Sequence, residues 1–215
     1  SFYPAHHITT GEGGMVSSNH EQISVLARSF AWWGRDCYCV GSANLLPNGT
    51  CGNRFDRHLD RYDEIVDHKF IFGNIGYNLK PLDLQGAIGI VQLEKSESIH
   101  AKRRHHKKIL EKIFLKNIPG LRVPIELEKS KASWFGFPMI CKDKDQKQRL
   151  VSYLESNKVQ TRNYFAGNIL LHPAYSHLGD YRDYPNSNKI LDRVFWVGVS
   201  PSYTEKVFEY IDGIL

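Results

Sequence analysis

Apolar residues recur at helical spacing from Glu21 to Trp33, where Ile23, Leu26, Ala27, Phe30 and Trp33 define one face. The spacing predicts a helix that lays this face against a sheet. A second stripe, Leu84, Ile88 and Val91, follows Pro81 at the place where a helix begins, and predicts a buried face. Helical composition then continues to Lys116, as one very long or kinked helix that ends at Asn117-Ile118-Pro119-Gly120. Beyond it, strand-like Leu121–Pro124 and Ser133–Cys141 precede a helix over Gln146–Asn157 and a loop rich in Pro and Tyr. A helix over Ser187–Val194, a strand over Phe195–Val199 and a helix over Thr204–Leu215 complete the pattern. This alternation predicts an α/β unit of about a hundred residues. Upstream, the glycines of Gly11-Glu12-Gly13-Gly14 predict a tight hairpin between two short strands, and Gly34 to Asn74 reads as a long irregular segment. Loops of that length are uncommon unless functional or pinned. The boundary between two domains is expected within the long helix, near residues 100 to 115.

The chain has 215 residues, enough for one or two domains with a real core. Its 41% hydrophobic and 24% charged residues exclude a disordered tail, a collagen-like repeat and a coiled coil. No apolar run approaches the roughly 20 residues of a membrane span, and a cytoplasmic protein without membrane contact is expected. The net charge of +5 suits an anionic small substrate as well as nucleic acid. The run Lys102-Arg103-Arg104-His105-His106-Lys107-Lys108, with Trp32 and Trp33, raises the nucleic-acid reading. Against it, Trp33 fits the apolar face of its helix, and the basic run continues into Glu111-Lys112 on what is expected to be a solvated surface. No nucleic-acid partner is expected.

Three of the four cysteines, Cys37, Cys39 and Cys51, fall within fifteen residues, and Cys141 stands alone in an apolar stretch. Cys141 reads as a small core residue. The other three read as a metal or cluster site, since Cys37 and Cys39 are too close in sequence to pair comfortably. Soft thiolates suit an iron–sulfur cluster. Zinc is the competitor, with His58 or His68 as fourth ligand in a binding module without catalysis.

Phe2-Tyr3-Pro4-Ala5-His6, followed by Thr9-Thr10-Gly11, resembles the Phe-x-Pro-x-Lys segment of the nucleotide-sugar aminotransferases of the DegT/StrS group. Gly76-Tyr77-Asn78, Ser133-Trp134-Phe135-Gly136 and Gln160-Thr161-Arg162 are similar to further segments of that group in the same order. The resemblance implies an α/β architecture, the PLP-dependent transferase fold type I of the aspartate aminotransferase kind. Residues 1–100 would be the C-terminal part of its large domain, with the cysteine-rich loop and the start of the connecting helix, and 101–215 its small α/β domain. In the group a lysine tethers pyridoxal phosphate; here His6 holds that position. An imidazole cannot tether the cofactor but can still move protons. The resemblance therefore implies pyridoxamine phosphate or pyridoxal phosphate held without a covalent bond, and His6 as the catalytic base.

Two His-for-Lys branches come into question: cluster-free GDP-4-keto-6-deoxymannose 3-dehydratases, and CDP-4-keto-6-deoxy-D-glucose 3-dehydrases that also carry a 2Fe-2S cluster. Arg35-Asp36-Cys37-Tyr38-Cys39 with Cys51 looks like the second, which acts in the dideoxysugar branch of lipopolysaccharide O-antigen synthesis. The resemblance implies Cys37, Cys39 and Cys51 as cluster ligands, Tyr3 and Asn78 at the cofactor, Asn78 across a homodimer, and Arg162 and Phe135 at the nucleotide sugar. It also implies an NADH-dependent flavin and iron–sulfur reductase as electron donor. The fragment by itself is expected to be inactive.

Overall fold

The computed structural model describes residues 1–37, 52–59 and 61–215. Cys39 and Cys51 lie outside the described residues. Two units emerge, one of Ser1–Pro4 with Ile8–Val91, the other of Ala5–His7 with Gln92–Leu215.

In the first unit the glycine-rich opening forms no strand. The expected hairpin is reduced to backbone bonds from Phe2 N–H to Gly13 O (2.9 Å) and from Thr10 N–H to Phe2 O (3.0 Å). Gly11 and Gly13 both take positive φ, which turns the chain too tightly for a ladder to extend. Helix α1 spans Glu21–Ala31, ending two residues earlier than its apolar spacing suggests. Trp33 at φ 60° and Gly34 at φ 79° reverse the chain there. The return is fixed by Gly76: a Cβ on it would meet Gly34 N at 2.1 Å, so the two backbones touch only because both residues are glycine. Trp33 N–H then donates to Tyr77 O, and Leu79 N–H to Ala31 O.

The segment expected to be irregular contains an antiparallel hairpin, β1 (Arg57–Leu59) with β2 (Glu64–Val66), and a 3-10 turn over His68–Phe70. Its three-residue strands, Arg57-His58-Leu59 and Glu64-Ile65-Val66, are too short to show the alternation that signals a half-buried ladder. Helix α2 (Asp83–Glu94) begins two residues after Pro81, and its last three residues belong to the second unit. The expected burial of the α1 and α2 apolar faces is not observed. Leu26 is 44% exposed and Leu84 70%, because among the described residues this unit has only the small β1–β2 sheet to pack against.

The second unit is built on α3 (Ser96–Asn117), separated from α2 at Lys95, so the long helix of the sequence reading is two helices. A three-stranded antiparallel sheet, in the order β3-β5-β4, lies beside it, with β3 spanning Gly136–Ile140, β4 Thr161–Asn163 and β5 Val194–Gly198. The expected strand at Leu121–Pro124 contributes only a single bridge, Arg122 to Ile140. Helices α4 (Lys144–Ser156), α5 (Pro185–Arg193) and α6 (Glu205–Ile214) complete the unit. Helix α4 starts where the Asp143 carboxylate accepts from Gln146 N–H at 2.7 Å. Pro185 pre-sets the first turn of α5.

Leu110 and Phe114 of α3, Phe137 and Met139 of β3, Phe195 and Val197 of β5, Leu154 and Phe208 make one buried cluster. Cys141 is in it, as expected, and burial pushes its thiol up to about 11. Phe195 and Val197 alternate with Trp196 along β5, so Trp196 stands on the face opposite the core. Among the described residues no helix is long and apolar enough to cross a membrane.

Candidate active site

His6 belongs to three residues, Ala5–His7, that pack within the second unit while the chain on either side belongs to the first. Arg103 and Ser133 both hydrogen-bond to them. Arg103 of α3 donates through Nη2 to the His6 carbonyl at 2.9 Å, and the His7 ring donates through Nε2 to the Ser133 carbonyl. The His6 ring stands perpendicular to the Phe135 ring, at 89° with centroids 4.9 Å apart, and the His7 ring meets Phe135 at 84° and 5.9 Å. His100 of α3 hydrogen-bonds Ser133 Oγ through Nδ1 at 2.9 Å and lies 5.6 Å from the His7 ring. Its imidazole is held below the usual histidine range, first by burial and then by the neighbouring His7 and Arg104.

Phe135 continues the line towards the sheet. Its ring meets Trp196 at 84° and 5.6 Å, and Trp196 Nε1 donates to Asn163 O at 3.0 Å. Trp196 can lie there only because residue 136 is glycine, since a Cβ would sit 2.2 Å from the indole. In the β4–β5 register Arg162 is directly opposite Trp196, which puts both on the non-core face. Arg162 is exposed, and its Nη1 donates to Thr161 O at 2.9 Å. Of the expected residues, His6, Phe135 and Arg162 thus fall on one connected surface of the second unit, with Trp196 as the link.

In the first unit, Tyr3 is about half exposed, at 49%. Asn78 is exposed, and its Oδ1 accepts from Lys80 Nζ at 2.6 Å; that ammonium lies 3.6 Å from the centre of the Trp33 ring. Cys37 is buried. The two histidines considered for zinc are engaged elsewhere: His58 with Asp63 at 3.4 Å and His68 Nδ1 with Asn53 O at 2.8 Å. Among the described residues no three His, Cys, Asp or Glu side chains converge as a metal site.

The basic run is not wholly solvated, contrary to expectation. Arg103 and His106 are buried, because positions 103, 106, 110 and 113 share the inward face of α3. His106 Nδ1 donates to Ser200 O at 2.7 Å. Arg103, His7, His100, Ser133 and Trp196 were not among the expected site residues. The signal for Arg103 was present: it lies seven residues before Leu110, in register with the apolar stripe.

A pyridoxal or pyridoxamine phosphate is a phosphate ester on a flat ring, and the residues suit a form held without a covalent bond. Position 6 offers an imidazole in place of an amine. Within the first unit, taken by itself, the exposed Asn78 amide and the partly buried Lys80 ammonium are donors of the kind a phosphate accepts. Of the three cysteines expected at a cluster, Cys37 is described and buried, and Cys39 and Cys51 lie outside the described residues.

A relative from Saccharopolyspora spinosa named dTDP-4-dehydro-2,6-dideoxy-D-glucose 3-dehydratase is 41% identical over 98% of this chain and 46% of its own length. The lipopolysaccharide biosynthesis protein RfbH of Salmonella typhimurium is 38% identical over 98% of this chain and 48% of its own. The chain therefore spans about half the length of the curated relatives it matches. The solved structure of E. coli GDP-4-keto-6-deoxy-D-mannose-3-dehydratase with bound hydrated PLP superposes with a TM-score of 0.74 at 27% identity, over 100% of this chain and 52% of that one. The fold is accordingly that of the PLP-dependent sugar aminotransferases and dehydratases, the α/β fold type I. Matched over residues 1–215 by the model of that family, the chain belongs to the DegT/DnrJ/EryC1/StrS aminotransferases.

Proposed function

We propose that this chain carries the His6-bearing part of an enzyme that removes the 3-hydroxyl of a nucleotide-linked 4-keto-6-deoxyhexose. The observation that carries the reading is the residue at position 6: an imidazole, held by Arg103 and Phe135, where the family resemblance places a lysine. Relatives whose printed names are 3-dehydratases support it. When bound, pyridoxamine phosphate supplies an amine for the sugar's keto group and a ring that accepts electrons. His6 takes and returns a proton. Phe135, backed by Trp196, gives that imidazole an aromatic wall, and Arg162 presents a guanidinium on the same surface for an anionic sugar nucleotide. Asn78 is assigned to the cofactor phosphate of a second copy in a homodimer, and Tyr3 to the cofactor ring.

The finer reading is a CDP-linked substrate in lipopolysaccharide O-antigen dideoxysugar synthesis. In it Cys37, Cys39 and Cys51 ligate a 2Fe-2S cluster that takes electrons from an NADH-dependent flavin and iron–sulfur reductase. The similarity to RfbH and the burial of Cys37 support it, whereas the dTDP and GDP in other relatives' names favour different nucleotides. The test is incubation of the complete protein with pyridoxamine phosphate and the CDP-, dTDP- and GDP-4-keto-6-deoxyhexoses, with mass analysis of products and assay of iron and sulfide. A released 4-keto sugar lighter than its substrate by one oxygen, the pyridoxamine phosphate or an added reductant supplying the two electrons, supports removal of the 3-hydroxyl, and iron with sulfide supports the cluster branch. A 4-amino product with the hydroxyl retained contradicts the proposal.

A further inference from the structure

The contacts around His6 close into a ring. Arg103 Nη2 donates to His6 O and Arg103 Nη1 to Val199 O at 2.7 Å. Val199 N–H donates to Phe135 O at 2.8 Å, and the Phe135 ring returns to the His6 ring at 4.9 Å. Main chain and side chain of His6 are therefore tied to the same stretch at the end of β5, one through a guanidinium and the other through an aromatic contact.

Arg103 is an expensive way to make this tie. Its side chain is buried, and among the described residues its Nε has no hydrogen-bond partner and no carboxylate pairs with it. Burying a cation without a counter-charge costs several kcal/mol unless hydrogen bonds offset it. Both observed bonds go to carbonyls, and a guanidinium reaches two of them at once because its donors form a fixed fork. The only N-terminal residues that belong to the second unit are Ala5–His7, and Arg103 holds the middle one.

We propose that Arg103 is a positioning residue for His6: by bridging the His6 and Val199 carbonyls it sets where the imidazole stands against Phe135. The inference rests on the reading of His6 as the proton-transferring group and adds a second residue to that reading.

The experiment uses the complete protein with 13C-labelled histidine. The His6 ring resonance is assigned by its disappearance in His6→Asn, then followed without cofactor in Arg103→Met and Arg103→Lys. The expected result is a shifted and broadened His6 signal in Arg103→Met and a smaller shift in Arg103→Lys. With cofactor and substrate, kcat of Arg103→Met falls by about 100-fold, as for a reacting group displaced by an ångström, while KM stays within about twofold. Guanidinium ion added to Arg103→Ala restores part of kcat. If Arg103→Met does not fold, the Arg103→Lys signal decides: a shift upholds the role and an unmoved signal overturns it. Loss of turnover in His6→Asn together with an unmoved His6 signal in both Arg103 variants overturns the role of Arg103 alone. Full turnover in His6→Asn overturns the reading of His6 itself.

Discussion

His6 and Phe135 stand ring to ring at right angles, 4.9 Å between centroids, and Phe135 stands in the same way to Trp196 at 5.6 Å. The imidazole is thereby referenced to a strand of the antiparallel sheet rather than to its own irregular segment. A perpendicular aromatic pair contributes about 0.5–1.5 kcal/mol beyond the area it buries. Phe135→Leu keeps an apolar side chain but loses its ring contacts with His6, His7 and Trp196. Urea unfolding of the complete protein is expected to show a loss of about 1.5–4.5 kcal/mol, three pair terms of about 0.5–1.5 kcal/mol each. An unchanged midpoint would show that these rings hold nothing.

Gly136→Ala tests the wall behind Phe135. The added methyl would sit 2.2 Å from the Trp196 ring, so the indole must leave its place over the strand. Overpacking of this kind costs about 1–3 kcal/mol. The Trp196 fluorescence is expected to change in parallel with the midpoint, and wild-type values for both would contradict the packing described.

Helix α4 depends on its cap. Asp143→Ala removes the acceptor for Gln146 N–H, and the expected loss is about 1 kcal/mol in thermal or urea unfolding. Asp143→Asn, which keeps an acceptor oxygen, is expected to lose much less.

The His100 imidazole is held below its ordinary value, first by burial and then by His7 and Arg104, with Glu97 opposing and Arg103 adding a small push in the same direction. The unfolded chain therefore binds the proton more readily than the folded one. The stability that neutral His100 contributes is complete above about pH 6.5 and is lost as pH falls through the lower folded value. Unfolding free energy measured from pH 7.5 down to 5.5 is expected to fall, and to fall less steeply in His100→Gln. Equal slopes would remove His100 as the cause.

Much of the second unit was legible from periodicity. Phe195 and Val197 alternate with Trp196 as a half-buried strand requires, and the helix expected over Gln146–Asn157 is found as α4 over Lys144–Ser156. Hydrophobic spacing also predicted α1 and α2, but it could not say what covers Leu26 and Leu84, because spacing identifies a face and not its neighbour. The break at Lys95 was hidden because Lys95 and Ser96 are both acceptable within a helix. For the site, the order of motifs named His6, Phe135 and Arg162, which lie on one surface. Arg103 was lost to a rule that usually holds, that basic runs on helices face water. Its inward position follows from the stripe it shares with Leu110, and its bonds to two backbone carbonyls leave no trace in side-chain chemistry.

The proposed chemistry turns on the imidazole at position 6, and the most direct measurement is the product formed by His6→Lys beside wild type. Each complete protein is given pyridoxamine phosphate and the accepted 4-keto-6-deoxyhexose nucleotide. Wild type is expected to release a product that has lost its 3-hydroxyl, and His6→Lys to shift towards a 4-amino sugar that keeps it. The same dehydrated product, at the same rate, from both proteins would contradict the account.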